Sequence, residues 1–373
     1  MQKPQPANPF PFGTEAHSAE VLKHLLRERV LYVPEWGWMV WDGKRWQRNT
    51  NGILALASDV LCQYYVACAE QATSPQEQAE AHKAAERACG TLYVKRVLKL
   101  LKELVRAPLD EFDAHPHLLN CPNGVVNLRT GEIQPHAPEL RLTKLCPTNY
   151  NPKARSELWE RFLRDVFLDD QKLIAYMQRA LGYSITGETR EQKIFICYGT
   201  GANGKSALFN IVRGVVGRGY VGTVSIQALR RDRRSRDAMR NSMYERTLLC
   251  GVRLATPFLT RLSEEQQLGR LLPKLFATGD TITARYVYQK PFSFTLQAKL
   301  WVSTNYKPRI TDRALLRGVV IPFRAVFSRD PKIDPAVRRD PDPHIIDKLL
   351  EPEHREAILA WLVEGAKAWY ERS

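Results

Sequence analysis

Residues 194–216 read IFICYGTGANGKSALFNIVRGVV, and this stretch decides the fold. It opens with the continuous apolar run IFICY, which is typical of a buried strand in a parallel sheet. A glycine-rich turn follows, and apolar residues after Lys205 then recur at helical spacing. The order of strand, glycine-rich turn and helix predicts an α/β domain with a parallel central sheet.

The turn fits the pattern G-x-x-x-x-G-K-[ST] from Gly199 to Ser206. Its glycines let successive backbone N–H groups point at one anion, and the helix N-terminus behind it favours phosphate. We predict that Lys205 reaches the β- and γ-phosphates of ATP and that the Ser206 hydroxyl ligates Mg²⁺. The predicted nucleotide-binding residues are Gly199, Thr200, Gly201, Ala202, Asn203, Gly204, Lys205, Ser206 and Ala207.

Composition narrows the class of partner. The 373 residues carry a formal net charge of +15, and almost all of it falls after residue 150. Such a distribution favours a polyanion such as DNA, bound mainly by the C-terminal part. The Pro-rich start lacks the apolar core of a signal peptide, and we find no continuous apolar run long enough for a membrane span. We therefore expect a cytoplasmic protein without a membrane partner.

The remaining patterns predict the surroundings of the α/β domain. We expect a helix over 18–30, a Trp-rich hairpin over 31–49 and two long helices over 53–106. The Trp-rich hairpin is interpreted either as a base-stacking surface or, more in keeping with its composition, as a small core. Short strands over 119–147 and a helical pair over 156–182 complete the region before the sheet, and helices over 343–371 end the chain.

Several stretches outside the turn occur in the order of one known family. They are TKLCPTNYNPKA, LGYSITGETREQKIFICYGTGANGKSAL, TGDTITARYVYQKPFSF, KLWVSTNYKPRI and LLRGVVIPF. With them the chain resembles the phage/plasmid primase–helicase family of superfamily 3 helicases. The resemblance covers nearly the whole chain, including WDGKRW and CPNGVVNLRTGEIQPH near the N-terminus, and is strongest from Cys146 to Phe323.

This resemblance implies an AAA+-like P-loop domain with a parallel sheet, preceded by a mostly helical domain with small antiparallel sheets. We place a lead at 1–17, the accessory domain at 18–150, the ATPase domain at 151–328 and a C-terminal helical segment at 329–373. The implied protein is a DNA helicase that assembles as a homohexamer and meets other replication proteins. We expect the helicase part alone, without a primase domain, in the bacterial host of a phage, plasmid or integrated element.

The resemblance also assigns roles to two residues beyond the loop. Asn305, which ends the apolar strand KLWVSTN, matches the family's sensor of the γ-phosphate; its other interpretation is a strand-ending residue that caps a turn. Arg317 matches the arginine that the family presents to the ATP of a neighbouring subunit. Arg309 and Arg313 are nearby alternatives for that role, and a solvated surface arginine is the other interpretation.

DNA-binding residues are expected in two places. The stretch TITARYVYQKPFSF is typical of a β-hairpin over 281–294, which in the family projects into the ring channel. Its cations and aromatic rings suit phosphates and bases, and an ordinary solvated hairpin is the alternative. The arginine-rich run that begins at Leu229 is interpreted equally well as a DNA-facing loop or a solvated one. The DNA-binding candidates are Lys274, Arg285, Tyr286, Tyr288, Lys290, Arg230, Arg231, Arg233 and Arg234.

One expected feature is missing from the sequence. A P-loop motor needs an acid at the end of the next core strand, to hold the Mg²⁺ water shell. Alignment on RTLLCGV places Val252 there, and alignment on VRLATPFL places Phe258 or Leu259 there. The nearest acidic candidates are Glu245, before the strand, and Glu264 and Glu265, after it. The last two are expected in the first turn of a helix, where acids also occur for helix capping. Two functions follow as hypotheses: an ATP-dependent DNA helicase of a mobile element, or an ATP-binding, hydrolysis-deficient ring that binds DNA or initiates replication.

Overall fold

A computed structural model describes residues 9–49, 51–225, 243–258, 281–286, 290–305 and 318–372. By its internal contacts the chain forms two compact units, residues 1–112 and 113–373. The first unit is mainly helical, and the second contains the parallel sheet. This division precedes the boundary placed at residue 150 from the sequence. The functional domain boundaries stay predictions.

The first unit combines four helices with a three-stranded antiparallel sheet. In chain order its elements are α1 (Glu15–Leu26), β1 (Val30–Val33), β2 (Gly37–Trp41), β3 (Trp46–Arg48), α2 (Ile53–Glu70), α3 (Pro75–Ala88) and α4 (Thr91–Leu104). The prediction of two helices over 53–106 is wrong by one, because the chain breaks again at Gly90, which caps α4. The predicted start of α3 is confirmed, since the Ser74 side chain accepts a hydrogen bond from the Glu77 N–H.

Three of the four tryptophans between residues 36 and 46 are buried in a core, namely Trp36, Trp38 and Trp46, and Trp41 is half-buried. Trp46 is almost fully buried, and Trp36 and Trp46 both contact the ring of Phe112 edge-on. Rings packed in this way stabilise the unit through burial and edge-to-face contact, and they are not presented to solvent. The structure therefore favours the interpretation of the Trp-rich hairpin as a small core.

By length and composition alone, helix α2 is apolar enough to cross a membrane, although its sequence contains no continuous apolar run of that length. Core helices of soluble proteins, which are mostly buried, meet the same test, and 28% of the residues of α2 are buried. In this unit Ala57, Leu61 and Tyr65 of α2 are fully buried in a cluster with residues of α1, α3 and α4.

The second unit begins with a small antiparallel sheet. Its elements are β4 (Leu118–Cys121), β5 (Gly124–Asn127), β6 (Ile133–Gln134), α5 (Glu157–Phe167) and α6 (Gln171–Ile185). The strands and the helical pair agree with the sequence prediction. Leu119 and Cys121 share one apolar cluster with Leu208 of the helix that follows the glycine-rich turn. The small sheet is thus part of the larger unit's core.

A five-stranded parallel sheet forms the centre of this unit. The elements along the chain are β7 (Ile194–Tyr198), α7 (Lys205–Val216), β8 (Val221–Ser225), β9 (Leu254–Phe258), β10 (Thr281–Ala284), β11 (Phe292–Thr295), β12 (Lys299–Thr304) and β13 (Gly318–Pro322). The strand order is β13-β7-β12-β9-β8. Strand β7, which leads into the glycine-rich turn, therefore lies between β12 and β13. The predicted α/β class with a parallel central sheet is confirmed.

The strands around β7 end at the same level. Tyr198, the last residue of β7, pairs with Thr304 of β12 and with Pro322 of β13. Both neighbours run parallel to β7, so their carboxyl ends meet at one edge of the sheet. Ligands of open α/β sheets bind at this edge. The register thus sets the residues that follow the three strands side by side.

The chain ends in elements that pack beside the sheet: β14 (Val326–Phe327), β15 (Arg338–Arg339), α8 (Ile345–Leu349) and α9 (Pro352–Tyr370). Helix α9 buries one face against α6, and the two backbones meet at Gly182 and Gly365. The helices predicted over 343–371 are therefore present.

Candidate functional site

The glycine-rich turn has a tightly curled backbone between β7 and α7. Gly201 and Gly204 have φ angles of +113° and +81°, and Ala202 between them has +46°. Glycine adopts this left-handed region at little cost, so the sequence folds locally into a cradle. The N–H groups at the start of α7 point into the concave side of such a cradle, where an anion is favoured.

Neighbouring segments hold the turn on two sides. The Gly199 N–H donates to the carbonyl of Thr304 at the end of β12 (3.2 Å), and the Phe327 N–H donates to the carbonyl of Ala202 (2.7 Å). A Cβ atom on Gly199 would collide with the side chain of Asn203 and the carbonyl of Phe323. The turn is therefore fixed by β12 on one side and by the chain after β13 on the other.

Lys205 is the one charged residue among residues 199–206, and its side chain is buried, with 6% of the residue exposed. Its Nζ donates a hydrogen bond to the Gly199 carbonyl (2.6 Å), across the mouth of the curl. Burial lowers the pKa of this amine below its ordinary value. An approaching anion offers such a partly desolvated cation a stronger partner than a neutral carbonyl does.

The turn opens into a cavity of about 1320 Å³. Five basic and three acidic side chains lie in its lining, so the cavity carries an excess of positive charge. The residues that line it are Arg161, Phe162, Asp165, Gly201, Ala202, Asn203, Gly204, Lys205, Ser206, Ala207, Asn305, Phe327, Arg329, Pro335, Arg338, Arg339, Asp340, Pro341, Asp342, Pro343 and Ile345.

Asn305 meets the turn at this cavity. It is exposed, directly follows β12 and shares the lining with Lys205 and Ser206. Its position follows from the parallel register, because Thr304 lies level with the last residue of β7. The structure thus brings eight of the predicted site residues to one cavity: Gly201 to Ala207 and Asn305. Thr200 is exposed in the turn itself.

The acid that a P-loop motor needs, missing from the sequence at the aligned positions, is also absent from the described residues of strand β9. Strand β9 consists of Leu254, Ala255, Thr256, Pro257 and Phe258, none of which is acidic. Glu264 and Glu265 lie outside the described residues. Glu245 lies in a short helical stretch, 243–247, whose backbone contacts the β10 end of the hairpin through Met243 and Arg285.

Three other carboxylates line the cavity: Asp165, Asp340 and Asp342. Burial raises the pKa of Asp165, and the nearby Arg339 guanidinium opposes that rise. The Nε of Arg339 lies 3.6 Å from Asp165, and its Nη2 lies 4.0 Å from Asp169. Asp342 accepts a hydrogen bond from Lys348 (2.7 Å), which lowers its pKa.

The predicted hairpin is present where the structure describes it. Strands β10 and β11 pair antiparallel, with Thr281 opposite Thr295 and Ala284 opposite Phe292. Beyond β10, Arg285 is exposed and Tyr286 stacks on Phe292 with 5.4 Å between ring centroids. Lys290 is exposed on the other side of the tip. The two cations thus flank the turn of the hairpin.

The other predicted site residues lie outside the described residues, and they stay predictions. They are Arg230, Arg231, Arg233, Arg234, Lys274, Tyr288 and Arg317, together with the alternatives Arg309 and Arg313.

Sequence reasoning missed the part of the cavity that faces the turn. Arg161 and Asp165 on α5 and the arginines near β14 and β15 line it. The segment after β13 is rich in Pro, Asp and Arg, a composition that predicts only a loop. The one feature that could have indicated its role is its position directly after β13, which lies beside β7 in the sheet. That strand order is set by long-range pairing and cannot be predicted from local sequence.

The larger unit is therefore an α/β protein with the strand–loop–helix geometry of a phosphate-binding loop, and comparison with known proteins narrows this class. A family model described as "D5 N terminal like" matches residues 19–168. A mimivirus protein named helicase L207/L206 (Acanthamoeba polyphaga mimivirus) is 31% identical over 228 residues, which cover 59% of this chain and 23% of that protein. A protein of African swine fever virus that is named primase C962R is 26% identical over 273 residues, which cover 69% of this chain and 27% of that protein.

A solved structure has a similar fold. The A form of the C-terminal region of NrS-1 matches with a TM-score of 0.52 and 11% identity, over 92% of this chain and 68% of that one. The family model and the two viral relatives confirm the resemblance to the phage-type primase–helicase family, and the solved structure supports the fold. The chain matches only about a quarter of the length of the viral relatives.

Proposed function

We propose that the cavity binds ATP and that the chain is the motor of a DNA helicase in the replication of a phage, plasmid or other mobile element. The observation that carries this proposal is the meeting of the curled turn, Lys205, Ser206 and Asn305 at one cavity. The relatives named helicase and primase support a role in the replication of a viral or mobile element.

Each group at the cavity has a specific task in this proposal. Lys205 leaves the Gly199 carbonyl and pairs with the β- and γ-phosphates, and the backbone N–H groups of the turn hold the β-phosphate. Asn305 senses the γ-phosphate and orients the attacking water. Arg317 of a neighbouring subunit, in a homohexameric ring, neutralises charge on the transferring phosphoryl group.

The residues present fit a Mg²⁺ ion, because oxygen atoms are the ligands that it prefers. Ser206 is exposed to the cavity, and carboxylates of Asp165, Asp340 and Asp342 lie in the same lining. We assign Ser206 to the ion. When bound, Mg²⁺ neutralises phosphate charge in the reaction.

DNA is the proposed substrate of the motor. The exposed cations Arg285 and Lys290 flank the hairpin tip, where they can pair with phosphates, and Tyr286 lies beside them. The positive charge after residue 150 supports the same partner. We propose that the hairpin carries the strand and that other replication proteins meet the ring.

A second function is favoured by one observation, the lack of an acidic residue in β9. Without a carboxylate at that place, a P-loop protein binds ATP and turns it over poorly. The alternative is thus an ATP-binding ring that holds DNA or initiates replication without hydrolysis.

An assay of ATP affinity and ATP turnover separates the two functions. We would measure both on the full chain, with and without single-stranded DNA, for the wild type and for Lys205→Ala. A helicase motor shows turnover that DNA stimulates and that Lys205→Ala abolishes. The second function predicts ATP binding that Lys205→Ala weakens, without turnover.

Lys193→Ala is the matched control, since Lys193 is an exposed lysine just before β7 and does not line the cavity. It should bind ATP as the wild type does. Absence of ATP binding by the wild type, or equal loss in both lysine variants, would refute a nucleotide site at this turn.

A further inference from the structure

A short strap lies against the phosphate-binding turn; we define it as residues 323–343, between β13 and α8. Its two strands, β14 and β15, pair parallel, with Val326 opposite Arg338 and Phe327 opposite Arg339. The Phe327 N–H donates to the Ala202 carbonyl (2.7 Å), so the strap is attached directly to the middle of the turn. This attachment holds the backbone of the strap against the turn.

Arg329 is placed by this attachment on the cavity side of the strap. Alternate residues of an extended chain share a face, and Phe327 and Arg329 both line the cavity. Arg329 follows Phe327 by about 7 Å of extended chain, a distance that its long side chain covers back toward the turn. It is exposed, and within the described ranges no ion pair or hydrogen bond of its guanidinium is recorded.

The two neighbouring arginines of the strap are held by other groups. Arg339 lies between Asp165 and Asp169 and also donates to the carbonyls of Ala336 and Arg338. Arg338 donates to the Asp330 carbonyl (3.2 Å). Three strap arginines line the cavity, namely Arg329, Arg338 and Arg339. Of these, Arg329 is the one whose guanidinium has no hydrogen-bond or ion-pair partner among the described residues.

We propose that Arg329 contacts the polyphosphate of the bound nucleotide from the same chain that supplies the phosphate-binding turn. This inference rests on the proposed function, since it needs ATP in the cavity. The guanidinium presents a fork of N–H donors that matches phosphate oxygens, and the partly enclosed cavity weakens screening. Arg329 thus adds a second cation to the cavity that Lys205 lines, in addition to the arginine expected from a neighbouring subunit.

Binding of ATP and of inorganic tripolyphosphate tests the contact. We would measure both affinities by calorimetry for the wild type, Arg329→Ala, Arg329→Lys and Arg324→Ala. We expect Arg329→Ala to weaken both ligands by about tenfold or more, the range for a charge-assisted hydrogen bond. Arg329→Lys should recover part of the loss, because it keeps the charge and loses the fork.

Arg324→Ala is the matched control. Arg324 is an exposed arginine of the same strap, an odd number of residues from Phe327, and it does not line the cavity. It should bind both ligands as the wild type does. Thermal unfolding of each variant shows whether the fold is intact, and the lysine variant keeps the test valid if the alanine variant unfolds.

The outcomes separate the two proposals. If the wild type binds ATP, Lys205→Ala loses it and Arg329→Ala binds both ligands normally, the Arg329 contact is overturned and the ATP site stands. Weaker ATP binding with unchanged tripolyphosphate binding also overturns it, since the contact would then be to the nucleoside. If the wild type binds neither ligand, the proposed function and this inference fail together.

Discussion

The close approach of helices α6 and α9 predicts that Gly182→Ala lowers the stability of the second unit. A Cβ atom on Gly182 would lie 2.8 Å from the Cα of Gly365 and closer still to the backbone of Ala366. Carbon atoms pack at about 3.5–4.0 Å, so the helices must separate by about 1 Å. Helix α9 cannot yield by a rotamer change, because the colliding atoms are backbone.

The expected cost follows from two opposing effects. Forcing extra volume into a packed core costs about 3 kcal/mol at the upper end of the usual range. Alanine within a helix stabilises the folded protein by about 1 kcal/mol relative to glycine. The net loss of about 2 kcal/mol lowers the Tm of a unit of this size by about 4–8 °C.

The assay is thermal unfolding of the full chain, followed by circular dichroism, with Gly219→Ala as the control. A Cβ atom on Gly219 would lie 3.5 Å from its nearest neighbour, the Cδ of Lys144, which is ordinary contact. Gly219→Ala should therefore change the Tm by less than about 2 °C. A Tm of Gly182→Ala equal to or above that of the control would refute the close-approach reasoning, since helix propensity would then dominate.

Three further predictions concern the turn, the sheet and the first unit. Gly199→Ala should abolish ATP binding in calorimetry, because its Cβ collides with Asn203 and the chain after β13; wild-type affinity would contradict this. Trp301→Ala, which removes a buried ring stacked 4.2 Å from that of Phe195, should cost about 4 kcal/mol in urea unfolding, and a loss below 1 kcal/mol would show that the stack contributes little. Burial lowers the pKa of His17, so the unfolded chain binds the proton more readily and the first unit loses stability as pH falls below about 6.5. His17→Gln should reduce the difference between urea midpoints at pH 7.5 and 5.5; an unchanged difference would assign that loss to other groups.

The features predicted correctly are those with a local cause. The glycines of the turn, the apolar run before it and the spacing after Lys205 all act within a few residues, so β7 and α7 follow from the sequence. Ser74 and Pro75 likewise start α3 by local capping. The break before α4 was missed because a single glycine, Gly90, is compatible with a continuing helix.

The features that were missed depend on long-range pairing. Strand order places β13 beside β7, and only this neighbourhood brings the strap and Arg329 to the turn. Asn305 was predicted through the family resemblance, and its nearness to Lys205 then follows from the parallel register. Local propensity carries no information on which strands become neighbours, so more than half of the cavity lining had no signal in the sequence.

Because β7, β12 and β13 end at the same level, the length of each strand sets the position of the residues that follow it. Removing one residue from β12 would draw Asn305 back by about 3.3 Å and turn alternate side chains to the opposite face. The same deletion in β13 would pull the strap away from Ala202. Substitutions of one apolar residue for another within these strands leave the site in place, whereas insertions and deletions do not. Changes in chain length are therefore tolerable only beyond the functional residues, because the spacing from each strand to its functional residue is as much a part of the site as the residue itself.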